Sequence, residues 1–215
     1  MDSQIKTCYA FIDGHANNIS ATELRGFLGY LFANDPEFHH HSNNSFHYPL
    51  VQYKKVHGKL LVIGLNDYAE KVFEKMSQLE NIITPQDKIK ISNIDMMRTK
   101  FDIHEEYSVY RFISPWIALN EKNYGKFKVL DKQGRKELLE QILIGNFLSA
   151  LKGLGITIDF EISVNINRVK QKKTKAHENE FVGFFSEFVT NVAIPKYLGL
   201  GKSVSKGFGI IERIK

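Results

Sequence analysis

The spacing of apolar residues over the first hundred positions constrains this fold more than any other feature. Ile5 to Ile12 reads as a first strand, and Asn17-Asn18-Ile19-Ser20 breaks it. Ser20 with Glu23 three residues later forms a capping box. Leu24, Phe27, Leu28 and Leu31 follow at helical spacing. Asn34-Asp35-Pro36 ends that helix, and a polar, histidine-rich loop runs to Ser45. Phe46 to Val56 reads as a strand that turns at His57-Gly58 into Lys59 to Leu65, a hairpin signal. Asn66 or Asp67 caps a second helix, with Ala69, Val72, Phe73 and Met76 on its apolar face. Lys88 to Arg98 alternates apolar and polar residues as a half-buried strand does. The resulting order, β-α-β-β-α-β, is that of the ferredoxin-like unit.

The second half is patterned less regularly. Tyr107 to Leu119 reads as a strand. Lys136 to Lys152 reads as a helix with Leu138, Leu139, Ile142, Leu143, Phe147 and Leu151 inward, stopped by Gly153 and Gly155. Ile156 to Ile166 and Glu180 to Val192 are strand-like, and Ile210 to Ile214 is the last strand. The two halves share no visible residue-level similarity. No proline- or serine-rich linker separates them, and the boundary falls between Thr99 and Glu106. A chain of 215 residues accommodates one large or two small domains, and each half is long enough to form a core.

Just before that last strand, residues 199–209 hold four glycines and two lysines: Gly199, Gly201, Gly207 and Gly209, with Lys202 and Lys206. Glycine permits positive φ and close approach to a ligand, and successive free N–H groups beside lysines make an anion site. The loop is of the wrong kind for nucleotides. A Walker loop needs glycine where Lys196 stands, and a dinucleotide fingerprint needs glycine or alanine where Val204 stands. Both also need a helix directly afterwards, whereas β-branched residues follow here. A loop that feeds a strand suits a polymer backbone better.

At these residues the chain resembles the CRISPR-associated endoribonucleases that cut repeat RNA into guide RNAs. Their C-terminal signature is G-x-G, small and basic residues, G-x-G and a hydrophobic strand. Two further blocks are similar to one subtype of that family: Phe38-His39-His40-His41 followed by Tyr48-Pro49-Leu50-Val51-Gln52-Tyr53-Lys54, and Pro115-Trp116-Ile117-Ala118-Leu119-Asn120. The resemblance implies an α+β chain of two tandem ferredoxin-like (RRM-like) domains, 1–102 and 103–215, the second degraded. It also implies metal-independent cleavage of CRISPR precursor RNA within its repeats.

His39, His40, His41 and His47 gather half of the eight histidines into nine residues. Three readings compete: a solvated loop with structural histidines, a metal site, and general acid–base catalysis. No H-E-x-x-H or cysteine spacing supports the metal. Histidine titrates near pH 6.5 and moves protons either way at neutral pH, and with the resemblance the catalytic reading leads. The subtype's spacing of histidine, variable residue, histidine, then tyrosine seven residues on fits His39, His41 and Tyr48. His41 is the first choice, with His39 or His40 its helper and Tyr48 an orienting donor. The competing role for Tyr48 is strand packing. Tyr30 is a further candidate to face the site. Lys54 and Lys55 alternate along their strand, so at most one faces the loop. RNA carries its own nucleophile, the 2′-hydroxyl, and no metal or cofactor is required.

Arg168, Lys170, Lys172, Lys173 and Lys175 put five positive charges in eight residues. The segment reads as a solvated hairpin turn or as a contact with RNA phosphates. With the glycine loop it makes a basic track. Trp116 is placed in a core more readily than under a base. Glu105 and Glu106 face opposite ways on a strand and receive no catalytic role. The net charge of +5 is modest. Cys8 is alone, which fits a reducing cytoplasm. No basic leader or long apolar run marks a signal peptide or a membrane span. The expected partner is CRISPR repeat RNA, with other subunits of an interference complex as further candidates and the oligomeric state open to a homodimer. The alternative is a catalytically inactive RNA-binding member of the same superfamily.

Overall fold

A computed structural model describes residues 3–13, 18–35, 38, 48–83, 88–176 and 179–214. They divide into two compact units. One holds Gln4–Phe101 together with Ser205–Gly207, drawn from the glycine-rich loop; the other holds Asp102–Val204, with Ser3 and the segment from Phe208 onward. No described helix is long and apolar enough to cross a membrane.

The first unit runs β1 (Gln4–Asp13), α1 (Ala21–Leu31), β2 (Val51–Val56), β3 (Lys59–Leu65), α2 (Tyr68–Ser77), β4 (Asn81–Ile83), β5 (Lys88–Lys90) and β6 (Asn93–Asp102). Its main sheet has the order β2-β3-β1-β6. Cys8, Ala10 and Ile12 of β1, Val51 and Tyr53 of β2, and Leu60 and Val62 of β3 share one core. Leu24 and Leu28 of α1 join it, as do Ala69, Val72 and Met76 of α2. The period of two on the strands and of 3.6 on the helices puts these residues on facing surfaces. The expected capping box forms: the Glu23 N–H donates to Ser20 Oγ at 3.1 Å, and the Ser20 N–H donates to the Glu23 carboxylate at 2.8 Å. Such a cap contributes about 1 kcal/mol. The β2–β3 turn places His57 at φ +50 and Gly58 at φ +83, the double left-handed turn that two-residue hairpins favour.

The strand expected over Lys88–Arg98 divides in two. Lys88–Lys90 pairs with β4. The chain changes partner at Ile91 and Ser92, whose N–H groups go to the carbonyls of Glu80 and Asp13. β6 then joins the main sheet.

The second unit runs β7 (His104–Phe112), α3 (Glu121–Val129), α4 (Lys132–Gly153), β8 (Val164–Ala176), β9 (Asn179–Ala193) and β10 (Ile211–Arg213). Its sheet order, β10-β7-β9-β8, repeats the first: last strand, first, third, second. Where the first unit places α2 before its last sheet strand, residues 194–210 here carry no helix. The second copy is degraded at that place. Its core is aromatic: Phe112 stacks on Trp116 at 5.0 Å, and Phe184, Phe188, Phe127 and Phe147 pack around them.

Three expectations shift in this unit. The strand expected to reach Leu119 stops at Phe112. Trp116 instead makes an isolated bridge to Phe184, and Pro115 between them has no N–H to give a ladder. Residues 156–163, expected in a strand, are irregular. There Asn191 does what a strand would do: its amide accepts from the Ser163 N–H and donates to the Glu161 carbonyl. Helix α3 appears where none was expected, and α4 begins at Lys132 because Asp131 caps it through the Gly134 N–H.

Candidate nucleic-acid interface and catalytic region

His39, His40 and His41 lie outside the described residues, as does His47. Phe38 is wholly buried, packs edge-on against Phe32 at 4.9 Å, and donates its N–H to the Asp35 carbonyl. Its own carbonyl accepts the Tyr53 hydroxyl at 3.2 Å. The chain therefore enters the histidine segment from a point fixed to β2. On the far side, the Tyr48 hydroxyl hydrogen-bonds with the Gln52 side chain, and burial pushes its pKa well up. Gln52 also donates to the Pro49 carbonyl. Tyr48 is thus a neutral phenol at physiological pH, suited to donate a hydrogen bond and not to act as a base.

The glycine-rich loop closes on itself. Gly199 bridges Ile210, and the Leu200 N–H reaches the Gly209 carbonyl at 2.9 Å. The N–H groups expected to face an anion are partly committed: that of Gly209 goes to Pro115 and that of Lys202 to Ile117. What this loop offers a phosphate is chiefly lysine charge. Gly201 (φ +95) lies against Trp116, where an added Cβ would come 2.7 Å from the indole. Trp116 is accordingly core, its Nε1–H donating to Asn146, and it supports the loop from below. Gly207 (φ +87) packs on Ala21 of α1, where a Cβ would meet the alanine methyl at 2.6 Å.

Lys206 bridges Tyr53 in parallel, within the same unit as the Tyr53–Phe38 contact. Its pKa is lowered by burial and by the Arg25 guanidinium, which also acts on the Tyr53 hydroxyl. Arg25 was not foreseen. The available signal was its place on α1, four residues after Ala21 and three before Leu28, which puts a charge at the margin of the apolar stripe.

The basic run is not a turn but part of the strand β8, paired along its length with β9. Strand alternation splits it. Arg168, Lys170 and Lys172 stand opposite Glu187, Phe185 and Gly183, whereas Lys173 stands opposite Val182 and Lys175 opposite Glu180. Lys173 and Lys202 line one open groove with Tyr124 and Phe181.

The two halves of this chain match two halves of one family. A model of the Cas6b N-terminal domain matches residues 3–102, and one of the Cas6b C-terminal domain matches residues 102–214. The chain belongs to the Cas6b family. It is similar over 98% of its length to a crystal structure of Cas6b, all of which is covered, at 29% identity and a TM-score of 0.88. It is also similar to a CRISPR RNA processing endoribonuclease Cas6b, at 27% identity, a TM-score of 0.77 and the same coverage. An uncharacterized protein of Methanocaldococcus jannaschii is 47% identical over 116 residues, which are 54% of this chain and 79% of that protein. The tandem ferredoxin-like architecture is thus that of Cas6b.

In this Cas6b chain the two strand lysines part company. Lys55 Nζ donates to the Ile19 carbonyl at 3.1 Å, just ahead of α1. Lys54 is wholly buried, and burial brings its pKa down to about 7. Tyr30 is 83% exposed. Glu105 receives the Asn191 amide and Glu106 pairs with Arg213, so both carboxylates have structural partners. Among the described residues no three His, Cys, Asp or Glu side chains gather as metal ligands would.

Proposed function

We propose that this Cas6b chain is a metal-independent endoribonuclease that cuts CRISPR precursor RNA within its repeats. The observation that carries the reading is the meeting, in one unit, of three separate sequence blocks. Tyr53 gives its hydroxyl to Phe38 at the mouth of the histidine segment and pairs with Lys206 of the glycine loop. Lys206 and Arg25, whose charges act on each other, supply two cations for a phosphate. The family membership and the likeness to a CRISPR RNA processing endoribonuclease Cas6b support the same reading.

The chemistry needs three things. A base takes the proton of the 2′-hydroxyl, whose oxygen then forms a bond to the adjacent phosphorus. Cations stabilise the charge that builds on the phosphoryl oxygens. An acid protonates the departing 5′-oxygen as its bond to phosphorus breaks. The products are a 2′,3′-cyclic phosphate and a 5′-hydroxyl end, with no net change in protons. We assign the proton transfers to His41, with His39 or His40 as helper. Tyr48, held neutral, donates an orienting hydrogen bond.

Single-turnover cleavage of the cognate repeat tests the assignment. His41→Ala is expected to slow it by at least about 10²-fold with little change in RNA affinity. Wild-type rates for alanine variants at 39, 40 and 41, tested singly and together, would overturn it in favour of a non-catalytic RNA-binding protein.

A further inference from the structure

The groove of the second unit, lined by Leu119, Asn120, Tyr124, Lys173, Phe181 and Lys202, takes no part in the reaction above. It is an open cleft of about 570 Å³, inside the range of about 300–1,000 Å³ usual for small-ligand sites. Two lysines line it from different elements: Lys173 from β8 and Lys202 from the glycine loop, whose N–H is tied to the Ile117 carbonyl. Tyr124 of α3 is 39% exposed, and Lys128 lies 4.5 Å from its ring centroid. Asn120 uses its Oδ1 to cap α3 through the Asn123 N–H, which leaves its amide NH₂ to donate. Glu121, also on the lining, supplies an acceptor.

An aromatic platform, flanking cations and a donor–acceptor pair at the edge are what an unpaired nucleotide requires. We propose that this groove holds one unpaired nucleotide of the bound RNA, away from the cleaved bond. Its base stacks on Tyr124, its phosphate lies between Lys173 and Lys202, and its base edge meets Asn120 and Glu121. The inference rests on the RNA-processing reading above. A paired stem does not fit, because its bases are already stacked and paired. An acidic peptide would meet the lysines but would be repelled by Glu121, whereas a base with an N–H on its edge satisfies that carboxylate.

The test uses the full chain and the cognate repeat RNA carrying a single abasic residue at each unpaired position in turn, with affinity read by fluorescence anisotropy. For the wild type, one abasic position is expected to weaken binding about ten-fold, the scale of one base–aromatic stack. Tyr124→Ala is expected to weaken the intact RNA similarly and to show no further loss with that abasic RNA. Tyr124→Phe keeps the platform and is expected to bind nearly as the wild type does. Lys173→Gln should lower the salt slope by about one. Tyr124→Ala binding as tightly as the wild type, losses that simply add, or a Tyr124→Phe variant as weak as Tyr124→Ala would each overturn the subsite and leave the RNA reading standing. A wild-type protein that binds none of these RNAs would remove the reading beneath it.

Discussion

The Tyr53 hydroxyl is one group on which the proposed catalytic region depends, because its bond to the Phe38 carbonyl ties the residue just before the three histidines to β2. Tyr53→Phe keeps the buried ring and removes only that bond. It is expected to cost about 1 kcal/mol of stability and to slow cleavage with little change in RNA affinity. Equilibrium urea unfolding and single-turnover rates check the two parts, and a variant with unchanged cleavage would show that the anchor is not needed. Lys54 makes a different prediction. Its pKa falls from 10.5 in the unfolded chain to about 7 in the folded one. Between those values the unfolded chain holds the proton and the folded chain does not. Stability from this residue therefore rises as pH climbs from about 7 toward 10.5, by up to about 1.4 kcal/mol per unit. Lys54→Met should abolish that rise. Matching pH dependences of unfolding in the two proteins would contradict it.

Among the elements, those written in local sequence were legible. The Ser20–Glu23 box, the His57-Gly58 turn and the apolar stripes of α1, α2 and α4 depend on neighbours a few residues away. The elements that went unread depend on distant partners. Residues 156–163 look like a strand, but the Asn191 side chain holds their backbone. The 88–98 segment changes partner midway between β4 and the main sheet. Helix α3 had a readable Asn120 cap, yet only Phe127 of its residues is buried, too little to show a periodicity. The glycine loop was recognisable in sequence, but not that tertiary bonds would occupy several of its N–H groups. Nor did the sequence show that strand alternation would bring Lys173, and not Lys172, to the groove with Lys202. Gly201→Val drives a side chain into Trp116, and Lys206→Glu puts a carboxylate beside Tyr53 in place of a cation. Both are expected to weaken repeat-RNA binding more than they slow cleavage at saturating enzyme. Filter binding alongside saturated rates measures this, and unchanged binding in both would remove the loop from the interface.

Across the whole molecule, one strand order is used twice, and the difference between the copies is informative. The first copy keeps its second helix, whereas the second gives up that place to residues 194–210. Three residues of this replacement, Ser205–Gly207, belong to the first unit, where they meet α1 and β2. In the proposed reaction the RNA's own 2′-hydroxyl attacks, with protons moved by side chains. The most direct measurement is single-turnover cleavage of the cognate repeat in excess EDTA, with and without the 2′-hydroxyl just upstream of the cut. The intact RNA is expected to be cut to a 2′,3′-cyclic phosphate, while the deoxy-substituted RNA binds with similar affinity and stays whole. Normal cleavage of the deoxy RNA, or activity lost in EDTA and restored by a divalent ion, would contradict the account.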